Sequence, residues 1–143
     1  MTLGDCPLHW CSKLQSEIAC STLEAEYIAL AQAMRELIPL CRIYTEMLQK
    51  FKLIDHNEIP VKSIIFEDNN GCISTCTAPK LTPRTKHIAV KYHFVRNFFV
   101  PDAPLDTPYI LEKIATELQN ADIFTKGLAP PKFLELRKLL CGY

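Results

Sequence analysis

Three short segments end in carboxylates whose types and setting could do chemistry: Glu26 in STLEAEYIAL (residues 21–30), Asp68 in SIIFEDNNGCI (63–73) and Asp122 in TELQNADIFTK (116–126). Acids this far apart in sequence can meet only through a fold. A fold that gathers several carboxylates at one spot usually does so to hold divalent cations, because hard oxygen ligands match hard metal ions. The second set of interest is cationic. Arg84, Lys86, His87, Lys91, His93 and Arg96 lie in a stretch with no acid, although the whole chain balances sixteen basic against sixteen acidic residues. Nucleic-acid contact would therefore have to come from a local patch rather than from net charge.

The elements that must position these residues follow from periodicity. At 143 residues the chain is long enough for one domain with a real core. Pro7 to Cys20 reads as a bulged or two-part strand, with Trp10 in the core. Ser21 or Thr22 supplies an N-cap, Glu24 sits at capping-box spacing from Ser21, and a helix follows to about Gln49. Its apolar stripe is Tyr27, Leu30, Met34, Leu37, Cys41, Tyr44 and Leu48, and Pro39 predicts a bend over Arg35 to Leu40. Val61 to Phe66 is an apolar, β-branched run, expected as a buried central strand that delivers Asp68 at its end. Glu67 is expected to point to the opposite side and to be structural.

A short helix over Gly71 to Thr77 should follow, then a longer one over Thr85 to Phe99. The longer helix carries Ile88, Tyr92, Val95 and Phe99 inward, with Lys86 and His93 on the far side. Tyr109 to Ala115 reads as a strand, Glu117 to Lys126 as a helix, and Pro131 to Leu140 as a last helix stopped before Gly142. Strands alternating with helices make an α/β domain with a central sheet.

Seven cysteines without a secretory signal imply a reducing, intracellular setting with mostly buried thiols, and no apolar run is long enough to span a membrane. Zinc through Cys72, Cys76 and His87 is the weak alternative, since no second cysteine pair stands at ligand spacing.

Four motifs in order, SKLQSEIACSTLEAEYIALAQAMREL, IIFEDNNGCI, RTKHIAVKYHFVR and ELQNADIFTKGL, resemble the ribonuclease H domain that closes the polyprotein of copia-type LTR retrotransposons. The resemblance runs from about Leu8 to the C-terminus. It implies a ribonuclease H-like mixed sheet flanked by helices, two Mg²⁺ ions, and hydrolysis of the RNA strand of RNA–DNA hybrids. Carried over by motif, the metal-holding acids are Glu26 (with Glu24 as rival), Asp68 and Asp122; Arg84, Lys86, His87 and Lys91 would contact the hybrid. The partners implied are the hybrid and the remainder of the reverse transcriptase polyprotein. Family members draw a fourth acid from a strand upstream of Leu8, and Asp5, in the turn before that segment, is not its substitute. The first strands are thus expected to be missing and the chain alone to cleave little or nothing. The alternative function is a non-catalytic retroelement remnant that contacts nucleic acid or the polymerase.

Overall fold

The computed structural model describes residues 1–4, 6–55, 61–83, 85–103 and 108–142, so the sequence readings of Asp5 and Arg84 lie outside the described residues. The chain is mixed α/β with small sheets and falls into two compact units, Ile18–Lys113 and Met1–Glu17 with Ile114–Tyr143. Among the described residues no helix is long and apolar enough to cross a membrane.

The larger unit is organised by α1, Thr22–Lys50. Tyr27, Leu30, Met34 and Cys41 of the expected stripe are buried, with Ile28 and Ala31 beside them, whereas Leu37, Tyr44 and Leu48 are only partly buried. The helical assignment continues without a break past Pro39. β3 (Ser63–Glu67) and β4 (Tyr109–Lys113) pair in parallel, with Ile64 opposite Ile110 and Glu67 opposite Lys113. α2 (Asn70–Thr77) leaves the end of β3 at once, capped by Asn69, whose side-chain oxygen accepts from the backbone N–H groups of Gly71 (2.9 Å) and Cys72 (3.1 Å). Cys72 and Cys76 are fully buried on α2 and join Tyr27, Met34, Ile88, Tyr92, Val95 and Tyr109 in one core.

Three expectations for this unit change. The β3 segment is not buried on both faces: Ser63, Ile65 and Glu67 face the helices, while Ile64 and Phe66 remain about half exposed. Among the described residues β3 has one partner strand and helices on one side, so it covers only alternate residues. The helix expected over Thr85 to Phe99 is a 3₁₀ helix over Val90–Phe98, because Ala89 is extended (ψ 134°). The tighter helix repeats every three residues, so Tyr92, Val95 and Phe98 stack toward the core. His93, expected beside Lys86 on the far side, instead faces α1.

The smaller unit holds a two-stranded antiparallel hairpin, β1 (Thr2–Leu3) with β2 (Cys6–Pro7), turning through Gly4 at φ 57°. It also holds a 3₁₀ turn Thr116–Leu118, the four-residue α3 (Asp122–Thr125), and α4 (Pro130–Cys141), which ends on Gly142 in the left-handed region at φ 78°. Leu136 is its buried anchor. Ser12 Oγ donates to the Phe124 carbonyl at 2.6 Å.

No strand forms over residues 8–20, contrary to the alternation read there. Among the described residues this segment has no ladder partner, and Trp10 (64% exposed), Leu14 and Ile18 stand in solvent rather than in a core. The helix expected over Glu117 to Lys126 breaks into the 3₁₀ turn and α3 around Gln119 and Asn120, where the Gln119 side-chain oxygen accepts from the Ala121 N–H at 3.4 Å. The thiols are not mostly buried either. Cys41, Cys72 and Cys76 are, whereas Cys6, Cys11, Cys20 and Cys141 are exposed.

Candidate functional site

The start of α1 separates two acids that sequence alone left as rivals. Ser21 caps the helix, accepting from the Glu24 N–H at 3.2 Å. Glu24 Oε2 reaches back to the Cys20 N–H at 2.8 Å, one residue before the N-cap. This is a capping box shifted by one position. The Cys20 N–H bond holds the Glu24 carboxyl below the usual carboxylate range, against the opposing effect of burial, and His87 adds to the lowering. Residues two apart do not share a helix face. Glu26, half-buried, therefore points elsewhere, and its charge is felt at the end of β3.

At that end Glu67 is buried on the inner face of the sheet. Its Oε1 accepts from the Asn69 N–H at 2.9 Å, which ties down the turn carrying Asp68. Burial pushes the Glu67 carboxyl upward; the Asn69 bond opposes this, and the charges of Glu26 and Asp68 push it further up. Glu67 thus has the structural role expected of it, and it also sits within the field of Glu26, which the sequence did not disclose.

Asp122 opens α3 in the smaller unit. Its carboxylate is mostly buried and accepts from Lys126 Nζ at 2.8 Å, one helical turn on.

The cationic stretch divides by direction. Lys86, His87 and Lys91 are exposed, and the Lys91 ammonium lies 4.9 Å from the centre of the Tyr92 ring. Arg96 turns inward, donates to the Ala78 carbonyl, and keeps a buried Nε without a hydrogen-bond partner. His93 likewise turns inward, against Tyr27 and the Ile88 carbonyl. Arg96 and His93 are partly buried and turned inward rather than presented outward.

Cys72 and Cys76 do not make the zinc set considered from sequence. Hydrogen bonding with Cys76 and burial push the Cys72 thiol strongly up, which opposes the thiolate a metal requires. Among the described residues, the side chains whose ligand atoms converge are Cys20, Glu24 and His87, all within 4.8 Å of one another. His87 meets Glu24 across 63 residues of sequence, so nothing local to either residue signals the pair.

The chain is similar in sequence to Pol polyproteins of plant transposons. It is 34% identical over 131 residues to the retrovirus-related Pol polyprotein from transposon RE2 of Arabidopsis thaliana, and 33% identical over 131 residues to that from transposon RE1 of the same plant. It is 36% identical over 135 residues to the retrovirus-related Pol polyprotein from transposon TNT 1-94 of Nicotiana tabacum. Its homologues are retrotransposon Pol polyproteins. The matches take in 92 to 94% of this chain but only 8 to 9% of each relative, so the chain corresponds to a small region of those polyproteins. No family model and no solved structure matches it. The similarity marks a retroelement-derived region.

Proposed function

We propose that this region is the ribonuclease H-type nuclease of a retroelement Pol polyprotein, hydrolysing the RNA strand of RNA–DNA hybrids, with Glu26, Asp68 and Asp122 as the acids that hold two Mg²⁺ ions. The observation that supports the reading is the place of Asp68, in the turn at the carboxyl end of the parallel strand β3, the end at which open α/β sheets collect their sites. Glu26 lies near enough to that end for its charge to act on Glu67.

The donor set fits the ion. Glu26, Asp68 and Asp122 offer only carboxylate oxygens, the hard ligands magnesium takes. When bound, the metal pair would stabilise charge on the attacking and leaving oxygens of the phosphodiester. The rest falls to the chain. Asn69 caps α2 and Glu67 holds the Asn69 N–H, so Asp68 leaves β3 from a turn pinned on both sides. Glu24 serves the start of α1 through Cys20, and Glu26, on a different face of the helix, is the acid of the EAEY pair assigned to magnesium in this reading. Lys86 and Lys91 present charge that would position a phosphate backbone without reading its sequence.

The test is cleavage of a fluorescent RNA–DNA hybrid in Mg²⁺, by the chain alone and within a longer Pol polypeptide. Cleavage by the longer protein that disappears with Asp68→Asn supports the reading; unchanged cleavage by that variant removes it. The exposed Lys86 and Lys91 favour a second reading, a non-catalytic module that contacts nucleic acid or the polymerase. Salt-sensitive hybrid binding with no turnover even in the longer protein would select it.

A further inference from the structure

The geometry points to a zinc-class metal site formed by Cys20, Glu24 and His87, separate from the acids proposed above. The three ligand atoms come from the residue before the helix cap, the first turn of α1, and the segment that enters the 3₁₀ helix, and all lie within 4.8 Å of one another. His87 Nε2 stands 3.2 Å from Glu24 Oε2. Ligands at about 2.0–2.1 Å from a tetrahedral zinc are separated by roughly 3.3 Å, so this edge already has the required length.

Two further features suit a metal. Glu24 is only 6% exposed, and the Cys20 N–H holds its carboxylate in place at 2.8 Å, as an outer hydrogen bond orients a ligand. Cys20 and His87 remain exposed, which leaves an entry path and a fourth position for water. Thiolate and imidazole ligands select zinc and its neighbours over magnesium, so this site and the carboxylate site would sort their cations by chemistry. A metal held here would lock the start of α1, and with it Glu26, to the segment bearing Lys86. It would also withdraw His87 from phosphate contact.

The experiment is titration of the purified whole chain with Co²⁺ as a spectroscopic stand-in for Zn²⁺, followed by displacement with Zn²⁺. A sulfur-to-cobalt charge-transfer band saturating at one ion per chain is expected, abolished by Zn²⁺ but not by excess Mg²⁺. Cys20→Ser should remove that band, and His87→Gln should weaken binding by more than roughly tenfold, the scale that loss of even an outer partner reaches. The Cys72→Ser and Cys76→Ser variants should leave the band unchanged. Absence of the band in the unaltered chain, or its persistence in Cys20→Ser, overturns the proposal and leaves Glu24 and His87 as a hydrogen-bonded pair. Cys20 is exposed, so its replacement leaves the core intact, and circular dichroism of that variant checks the fold.

Discussion

The Tyr27 hydroxyl lies 3.0 Å from His93 Nδ1, and the two rings stand 5.6 Å apart, joining α1 to the 3₁₀ helix across 66 residues of sequence. His93 Nε2 faces the Ile88 carbonyl at 3.1 Å. A carbonyl can only accept, so Nε2 carries the proton, Nδ1 is the acceptor, and Tyr27 donates. Burial pushes the Tyr27 hydroxyl well up, keeping it protonated for this role. Tyr27→Phe removes the donor and strands Nδ1 in a partly buried site. The expected loss is about 1–2 kcal/mol of unfolding free energy in urea titration, with the fold retained.

The same pair sets a pH dependence. Burial, aided by the charge of Arg96 and opposed by the Ile88 bond, holds the His93 pKa below its ordinary value of 6.5. The unfolded chain therefore binds more protons than the native one between the two pKa values. Stability from this group is full above pH 6.5 and falls as pH drops through the depressed value. His93→Gln should flatten that part of the stability curve, measured by thermal unfolding across pH 4 to 8.

Asn69 supports both a helix and the turn bearing Asp68. Asn69→Ala frees the Gly71 and Cys72 N–H groups at the start of α2 and should cost about 1 kcal/mol, while Asn69→Asp should retain most of the cap. If the nuclease reading holds, the alanine variant should also lose hybrid cleavage beyond its stability loss, because Asp68 is no longer fixed. The comparison is activity at a temperature where both variants remain folded.

The outer face of the β3–β4 pair carries Ile64, Phe66 and Ile110, each 40% exposed or more. An apolar face on an open two-stranded sheet favours association. The chain alone should self-associate by light scattering as its concentration rises, and Phe66→Lys should reduce this without lowering the melting temperature. A stable monomer at high concentration would contradict it.

A clash of volumes offers a further check on the packing at α2. A Cβ added to Gly71 would stand 2.7 Å from Leu23 Cδ1 and 3.1 Å from the capping oxygen of Asn69. Gly71→Ala should therefore destabilise, by about 1 kcal/mol or more, despite the better helix propensity of alanine. Restoring stability with a paired Leu23→Ala change in a double-mutant cycle would identify that contact as the cause.

Where the residues made their case locally, the structure agrees with them. The Tyr27–Cys41 stripe, the Ser21 cap with Glu24, the short helix after Asp68 and the Gly142 stop are each written within a turn or two of chain. Helical periodicity and capping depend on near neighbours, so a single sequence determines them. The segment 8–20 shows the opposite. Its alternation suits a strand, but a strand exists only with a partner, and pairing is decided by other parts of the chain. The inward turns of His93 and Arg96 depend on a 3₁₀ period that the β-branched Val90 and Val95 do not announce.

The sequence by itself determined α1, α2 and α4 with the Ser21 cap and the Gly142 stop, and the motifs by which the chain resembles retrotransposon Pol polyproteins. Only the tertiary structure decided that the Glu24 carboxylate meets His87, that Glu67 lies in the field of Glu26, and that Cys20, Glu24 and His87 converge. The physical reason is range. Hydrogen bonds along a helix close within four residues, whereas the Glu24–His87 contact spans 63, and long-range convergence is fixed by the packing of the whole core.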